Sequence, residues 1–410
     1  MATDGALCIA GVDLRDLAAE YGTPLFVYDE THIRDRCREA VRAFGPGNVV
    51  YATKAFLCAA MARLADEEGL LLDVATGGEL HVALAAGVPP SRLVFHGNNK
   101  SAEELRTALE QRVGLVVVDS FDELDRLDEL HADGLPPPDV QLRITPGVEA
   151  HTHDFVRTGQ DDSKFGFGLR SGAAAQATTR AATSPSVNLV GFHAHVGSQV
   201  FAAENFAKAA AVMAEFAAPY ELPTLTLGGG LGVAYVEGEV APTITEWGHA
   251  LLRAVHAAGL SGRVLVEPGR AIVASAAVTV YTVGTIKALP GIRTYVAVDG
   301  GMSDNPRPVL YGSGYETFLP RAVAADRTKL VRVVGKHCES GDLLVREGRV
   351  PHDLVVGDLL ATPVTGAYGH SMGSNYNKVP RPPVVFVRDG VARLVVRRET
   401  YDDLMRLDVG

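Results

Sequence analysis

Val49-Val50-Tyr51-Ala52-Thr53-Lys54 is a short apolar run that ends on an ammonium. A buried strand seldom finishes on a lysine without a use for it. Desolvation lowers a lysine's pKa, and a lysine freed of its proton attacks carbonyls. Read alone, the run fits a strand with a surface lysine at its end better, since lysines are mostly exposed. The residues that follow decide between the two. From 49 to 273, β-rich apolar runs alternate with amphipathic, alanine-rich helical stretches. The candidate strands are 49–53, 71–75, 93–96, 115–119, 140–145, 187–195, 224–227 and 264–267. Helical patterns between them cover 59–68, 78–86, 102–111, 121–130, 205–217 and 244–257. Strands alternating with helices imply parallel βαβ units, and eight units imply a (β/α)8 barrel. A doubly wound open sheet satisfies the same pattern and stays open at this point.

After residue 273 the texture changes. Runs at 278–285, 295–298, 331–334, 359–361 and 384–387 are rich in β-branched residues, with glycine turns between them. Asp389-Gly390 is a two-residue hairpin signal, with 391–396 as the return strand. This is an all-β domain. Pro24-Leu25-Phe26-Val27-Tyr28 is also strand-like and is expected to join it. The expected division is a barrel over 30–273 and a β domain over 1–29 and 274–410. Residues 147–168 form a long polar loop, of a length that is often functional.

The chain has 410 residues, 47% of them apolar and 21% charged, enough for one large barrel and an appendage. A net charge of −11 without a lysine–arginine stripe argues against nucleic acid or an anionic membrane as partner. Cys8, Cys37, Cys58 and Cys338 form no CxxC pair, so reduced thiols are expected. No signal peptide and no membrane span is evident, and a cytoplasmic protein is expected.

In such a barrel the reactive groups sit at the C-terminal ends of the strands. The expected ends carry Lys54, Asp73, His96, Arg143, His193 with His195, Gly228-Gly229-Gly230, and Glu267-Pro268-Gly269-Arg270. Glycines expose backbone N–H groups to an anion, and Arg270 follows after strand eight, so a phosphate site is expected there. A lysine beside a phosphate site suggests pyridoxal phosphate, and Glu267 is the carboxylate that would keep its ring nitrogen protonated. His193 and His195, two apart on a strand, would share a face. With His151 and His153 they offer a metal reading, but there is no HExxH and no metal is expected. His195 could instead stack flat on a cofactor ring. In the β domain, Cys338-Glu339-Ser340-Gly341-Asp342 places a thiol beside a carboxylate, and Arg307 stands between two prolines, suited to a carboxylate.

These motifs together resemble the fold-type III pyridoxal-phosphate decarboxylases. The resemblance rests on 51–54, 96–101, Ser163-Lys164-Phe165-Gly166-Phe167, 195–199, 228–232, Glu267–Arg270, 338–342 and 366–376 with Pro380-Arg381-Pro382. It implies a Schiff base on Lys54 and His195 stacked on the ring. It puts Ser198, Gly229, Gly230 and Arg270 near the phosphate, Glu267 on the ring nitrogen, and Asp73, Pro268, Gly269 and Tyr368 also at the cofactor. Arg270, Arg307, Tyr311, Glu339 and Tyr368 would hold the substrate, and Cys338 would supply the proton after CO2 leaves. In the family the residues matching Cys338 and Glu339 come from a second copy, which implies a homodimer. Within the family the similarity points to the branch that converts meso-2,6-diaminopimelate to L-lysine. Arg307 would meet the distal carboxylate and Glu339 the distal amine. A relative acting on another amino acid and a metal-dependent barrel hydrolase are the alternatives. Phe56 departs from the asparagine common in relatives and is expected to leave the chemistry intact.

Overall fold

The computed structural model describes residues 5–147, 162–195, 197–260 and 262–410. The long loop at 147–168, and with it His151 and His153, falls largely outside them. The chain divides into two compact units. One comprises Arg36–Val233 and Val240–Ala271, the other Met1–Asp35, Ala234–Glu239 and Ile272–Gly410.

In the first unit, eight parallel strands follow one another around a sheet: Val50–Ala52, Leu71–Val74, Leu93–Phe95, Leu115–Val118, Asp139–Thr145, Asn188–His193, Thr224–Thr226 and Arg263–Leu265. Each lies within a run expected from the sequence or overlaps it. The ends of the sheet meet: Val49 bridges Val266, Val50 N–H donates to the Val266 carbonyl at 2.8 Å, and Ala52 N–H to that of Pro268 at 3.3 Å. The sheet is thus a barrel, which decides against the open sheet. Val50, Val94, Val117 and Leu265 pack together as one cluster.

The helices stop and start where their capping chemistry dictates. Ser101 and Thr243 each form a capping box with a glutamate three residues on, opening Ala102–Gln111 and Ile244–Ala257. Ser120 and Thr76 cap Phe121–Ala132 and Gly77–Ala85 through their hydroxyls. Glu30–Phe44 and Ala173–Thr183 were not expected; the second is alanine-rich and only weakly patterned.

The second unit is built on sheets. Its backbone is the long strand Ala277–Leu289, which pairs antiparallel with Arg293–Val298, Leu359–Pro363 and Leu25–Asp29. The N-terminal strand Leu25–Asp29 also runs parallel to Val384–Arg388, so it joins the C-terminal sheet as expected. Val384–Arg388 and Val391–Val396 form the expected hairpin about Asp389-Gly390, both with positive φ. Leu343–Val350, paired with Lys329–Val334, was missed: its Arg-Glu-Gly-Arg centre hides the alternation.

A polar knot lies inside this unit. Asp304 is 1% exposed, with its Oδ2 accepting the Gly301 N–H at 2.8 Å. Burial pushes its pKa from 3.8 up to about 7, and the Asp299 and Asp342 charges add to this. A carboxyl raised in the fold contributes stability below its unfolded pKa, and loses it as pH rises through the folded value. Asp304→Asn, which removes the titration, is expected to flatten the fall in melting temperature between pH 5.5 and pH 8. Parallel falls in both proteins would contradict this.

Candidate active site

The C-terminal ends of the barrel strands place one group after another on a single rim. The strand Val50–Ala52 passes into a one-turn helix, Thr53–Ala55, that carries Lys54. Its backbone is pinned from both sides: Thr53 Oγ1 donates to the Asp73 carbonyl at 2.6 Å, and Tyr51 Oη to that of Phe56 at 2.8 Å. Phe56 itself is fully buried, a packing residue behind the lysine. The Lys54 side chain is exposed, so the expectation of a lysine desolvated by its own strand end is not met. Its charge nonetheless acts on Asp73, Glu79 and His195, which places it among them.

Glu267 is the most constrained group of the rim. It is 6% exposed, with His96 Nε2 2.9 Å from Oε1 and His193 Nε2 3.0 Å from Oε2. The two imidazole rings stand edge to face, 5.0 Å apart. Burial alone would push the Glu267 carboxyl up. The charges of His193 and His96 and the His193 hydrogen bond reverse this and hold it well below the usual carboxylate range. Burial brings His193 down to about 4, against the pull of Glu267. For His96 the carboxylates of Asp73 and Glu267 outweigh burial and raise the pKa. Asp73, buried beside them, is raised by desolvation.

His195 does not share a strand face with His193, because the strand ends at His193. Its Nδ1 accepts the Gly229 N–H at 3.3 Å, which leaves the proton of a neutral ring on Nε2. Burial, and then the Lys54 charge, hold its pKa well below 6.5. Arg270 Nη2 donates to Ser198 Oγ at 2.9 Å, so these two expected anion ligands meet. The glycines have a second reason to be glycine. A Cβ on Gly229 would stand 2.0 Å from the Glu267 carbonyl oxygen, one on Gly230 2.0 Å from that of Gly197, and one on Gly269 2.9 Å from that of Ala52. Pro268, between them, receives the Ala52 N–H on its carbonyl.

The other expected residues belong to the second unit. Arg307 is no solvated loop residue. It opens the short helix Arg307–Tyr311, is 4% exposed, and lies 4.4 Å over the Tyr235 ring. Its Nη1 donates to Tyr315 Oη at 2.7 Å, while its Nε is buried without an acceptor among the described residues. Tyr235 and Tyr315 escaped the sequence reading, since nothing local links them to Arg307. Tyr311 is half-buried at the end of the helix. Cys338 and Glu339 are exposed on a tight loop, where Cys338 N–H donates to Asn377 Oδ1 at 3.0 Å. Tyr368 is half-buried with φ +62°.

Pyridoxal phosphate fits what the barrel rim offers. Glu267 Oε1 is buried, anionic and lacks an aligned hydrogen-bond donor among the described residues, as an acceptor for a ring N–H should be. A lysine amine, a neutral imidazole and an Arg–Ser pair complete the functional groups that the cofactor needs. His96, His193 and Glu267 also have the make-up of a metal site, their ligand atoms all lying within 4.8 Å of one another. This is not the HxH pair on which the alternative metal reading rested, because His195 is not one of the three.

Gly229→Ala and Gly230→Ala test whether the glycine run is demanded by packing as well as by the ligand. Both are expected to lower the melting temperature of the cofactor-free protein, and variants as stable as the parent would leave the ligand alone to explain the run.

The comparisons agree with this chemistry. Residues 30–274 match the profile of the pyridoxal-dependent decarboxylase family's pyridoxal binding domain. A protein of Mycobacterium tuberculosis named diaminopimelate decarboxylase is 49% identical, covering 99% of this chain and 95% of its own. One of Bacillus subtilis with the same name is 48% identical over the same shares. The crystal structure of diaminopimelate decarboxylase from M. jannaschii in complex with L-lysine superposes with a TM-score of 0.93 at 32% identity, covering 100% of this chain and 97% of the other. With the rim of a parallel barrel built around Lys54 and Glu267, the chain belongs to the pyridoxal-dependent decarboxylases, among the diaminopimelate decarboxylases.

Proposed function

We propose that this protein removes one α-carboxylate of meso-2,6-diaminopimelate as CO2 and releases L-lysine, the last step of lysine biosynthesis. The relatives named for that activity support this, and the observation that carries it is Arg307. A guanidinium buried on an aromatic face, with its Nε lacking an acceptor among the described residues, suits a second carboxylate on the substrate. An ornithine- or lysine-type substrate has no such group.

Pyridoxal 5′-phosphate, when bound, supplies the sink for the electron pair left on the α-carbon. The chain's own residues do the rest of the work in this reading. Lys54 supplies the amine that holds the cofactor. Glu267, kept anionic by its two histidines, holds a proton on the ring nitrogen. Neutral His195 would lie against the cofactor ring, and Asp73, Pro268 and Gly269 would also help to hold the cofactor. Ser198, Gly229, Gly230 and Arg270 take the phosphate. Arg270, Arg307, Tyr311 and Tyr368 orient the substrate, Tyr368 also touching the cofactor. Glu339 receives the distal amine, and the Cys338 thiol delivers the proton to the α-carbon. The reading includes residues 30–273 as the cofactor-binding domain, with 1–29 and 274–410 as the β domain. It also includes a cytoplasmic homodimer whose second copy supplies Cys338 and Glu339 to each site. Among the described residues no helix is long and apolar enough to cross a membrane.

Purified protein with meso-diaminopimelate is expected to yield lysine and CO2 in equal amounts, and little product from lysine or ornithine. Arg307→Ala is expected to lower kcat/KM for diaminopimelate about a hundredfold or more, because a desolvated charge loses its partner. The absorption of the bound cofactor should stay as in the parent. Equal turnover in both proteins would remove Arg307 from substrate recognition.

A further inference from the structure

Behind the rim lies a buried ion pair that the proposed reaction does not use. Lys100 and Glu123 are each 1% exposed, and Lys100 Nζ stands 2.7 Å from Glu123 Oε1. A pair this deep loses two hydration shells, and a well-packed apolar pair commonly serves stability as well or better. Its other contacts show what it holds. Lys100 Nζ also donates to the carbonyls of Gly97 and Val117, each at 2.8 Å. Glu123 Oε2 accepts the Asp119 N–H at 3.0 Å. The pair therefore ties the loop after the third barrel strand to the end of the fourth.

Both ends carry a group that faces the rim. His96, next to Gly97, stands on Glu267 Oε1. Asp119 accepts the Gly166 N–H on Oδ1 at 2.7 Å and holds Arg143 at 3.5 Å from Oδ2. Arg143 lies 4.2 Å over the Phe165 ring, and its charge acts on Asp73, His96, His193 and His195. A displacement of either loop would thus change the electrostatics at Glu267 without touching it.

We propose that Lys100 and Glu123 are a positioning pair: they hold His96 against Glu267 and Asp119 against Arg143, and so tune the acceptor that meets the cofactor ring nitrogen. The proposal rests on the reading of Glu267 given above. Its test is Lys100→Met with Glu123→Met in the cofactor-loaded protein, followed by melting temperature, cofactor dissociation and the pH dependence of the cofactor's absorption band. The melting temperature is expected to fall, because the Gly97 and Val117 carbonyls and the Asp119 N–H lose their partners, so cofactor affinity and absorption are the deciding readouts. Cofactor affinity should fall about tenfold to a hundredfold, as for a misplacement of order 1 Å, and the absorption profile should shift along the pH axis. A folded double variant with parental affinity and profile overturns the proposal and leaves the pair a structural contact. Should the double variant not fold, Glu123→Gln takes its place with the same readouts. Its amide oxygen takes the place of Oε1 or Oε2, so either Lys100 or the Asp119 N–H then meets an NH2 group that cannot accept. Glu267→Gln is the reference: an unchanged absorption profile there overturns the ring-nitrogen reading instead.

Discussion

A parallel sheet of eight strands has two edges of unpaired backbone groups, and this chain removes both by joining its first barrel strand to its last. The hydrogen bonds from Val50 to Val266 and from Ala52 to Pro268 make that seam. The site depends on it. Lys54 follows one side of the seam and Glu267 to Arg270 the other, more than two hundred residues on. The close approach leaves no room for side chains on the backbone, and Gly269, whose Cβ would meet the Ala52 carbonyl oxygen, is the local consequence.

Closure also creates the electrostatic problem that the rim solves. Glu267 ends up where water does not reach, and a lone carboxylate there would take up a proton. Two imidazoles, delivered by the third and sixth strands, keep it ionised. They come from parts of the sequence far from Glu267 and from each other. The solution also explains why two histidines one residue apart in the sequence, on either side of Ala194, have different duties. His193 still belongs to the strand and points at the carboxylate. His195 lies past its end and is fixed by the Gly229 N–H.

In the second unit the same logic works with aromatic faces. Arg307 would be a solvated loop residue if only its flanking prolines mattered. Tyr235 beneath it and Tyr315 at its Nη1 hold the guanidinium in one orientation and exclude water from it. A cation stacked on a ring and hydrogen-bonded at one corner keeps its other donors available for a planar anion.

The barrel was legible because it is written in local periodicity: eight apolar runs and the helices between them. The N-terminal strand's place in the last sheet and the Asp389-Gly390 hairpin were legible for the same reason, since strand pattern and turn chemistry are short-range. Leu343–Val350 was not, because charged residues at its centre interrupt the alternation. The reactive groups, too, could be named from the strand ends. Which of them touch could not. The bracketing of Glu267 by His96 and His193, the bond of His195 to Gly229, the exposure of Lys54 and the aromatic seat of Arg307 are distances between segments remote in the chain. Sequence by itself determined the strands, their order and the inventory of chemistry at their ends. Only the closed tertiary structure decided the partners, because burial and charge act through space, and a residue's pKa is set by what the fold packs against it.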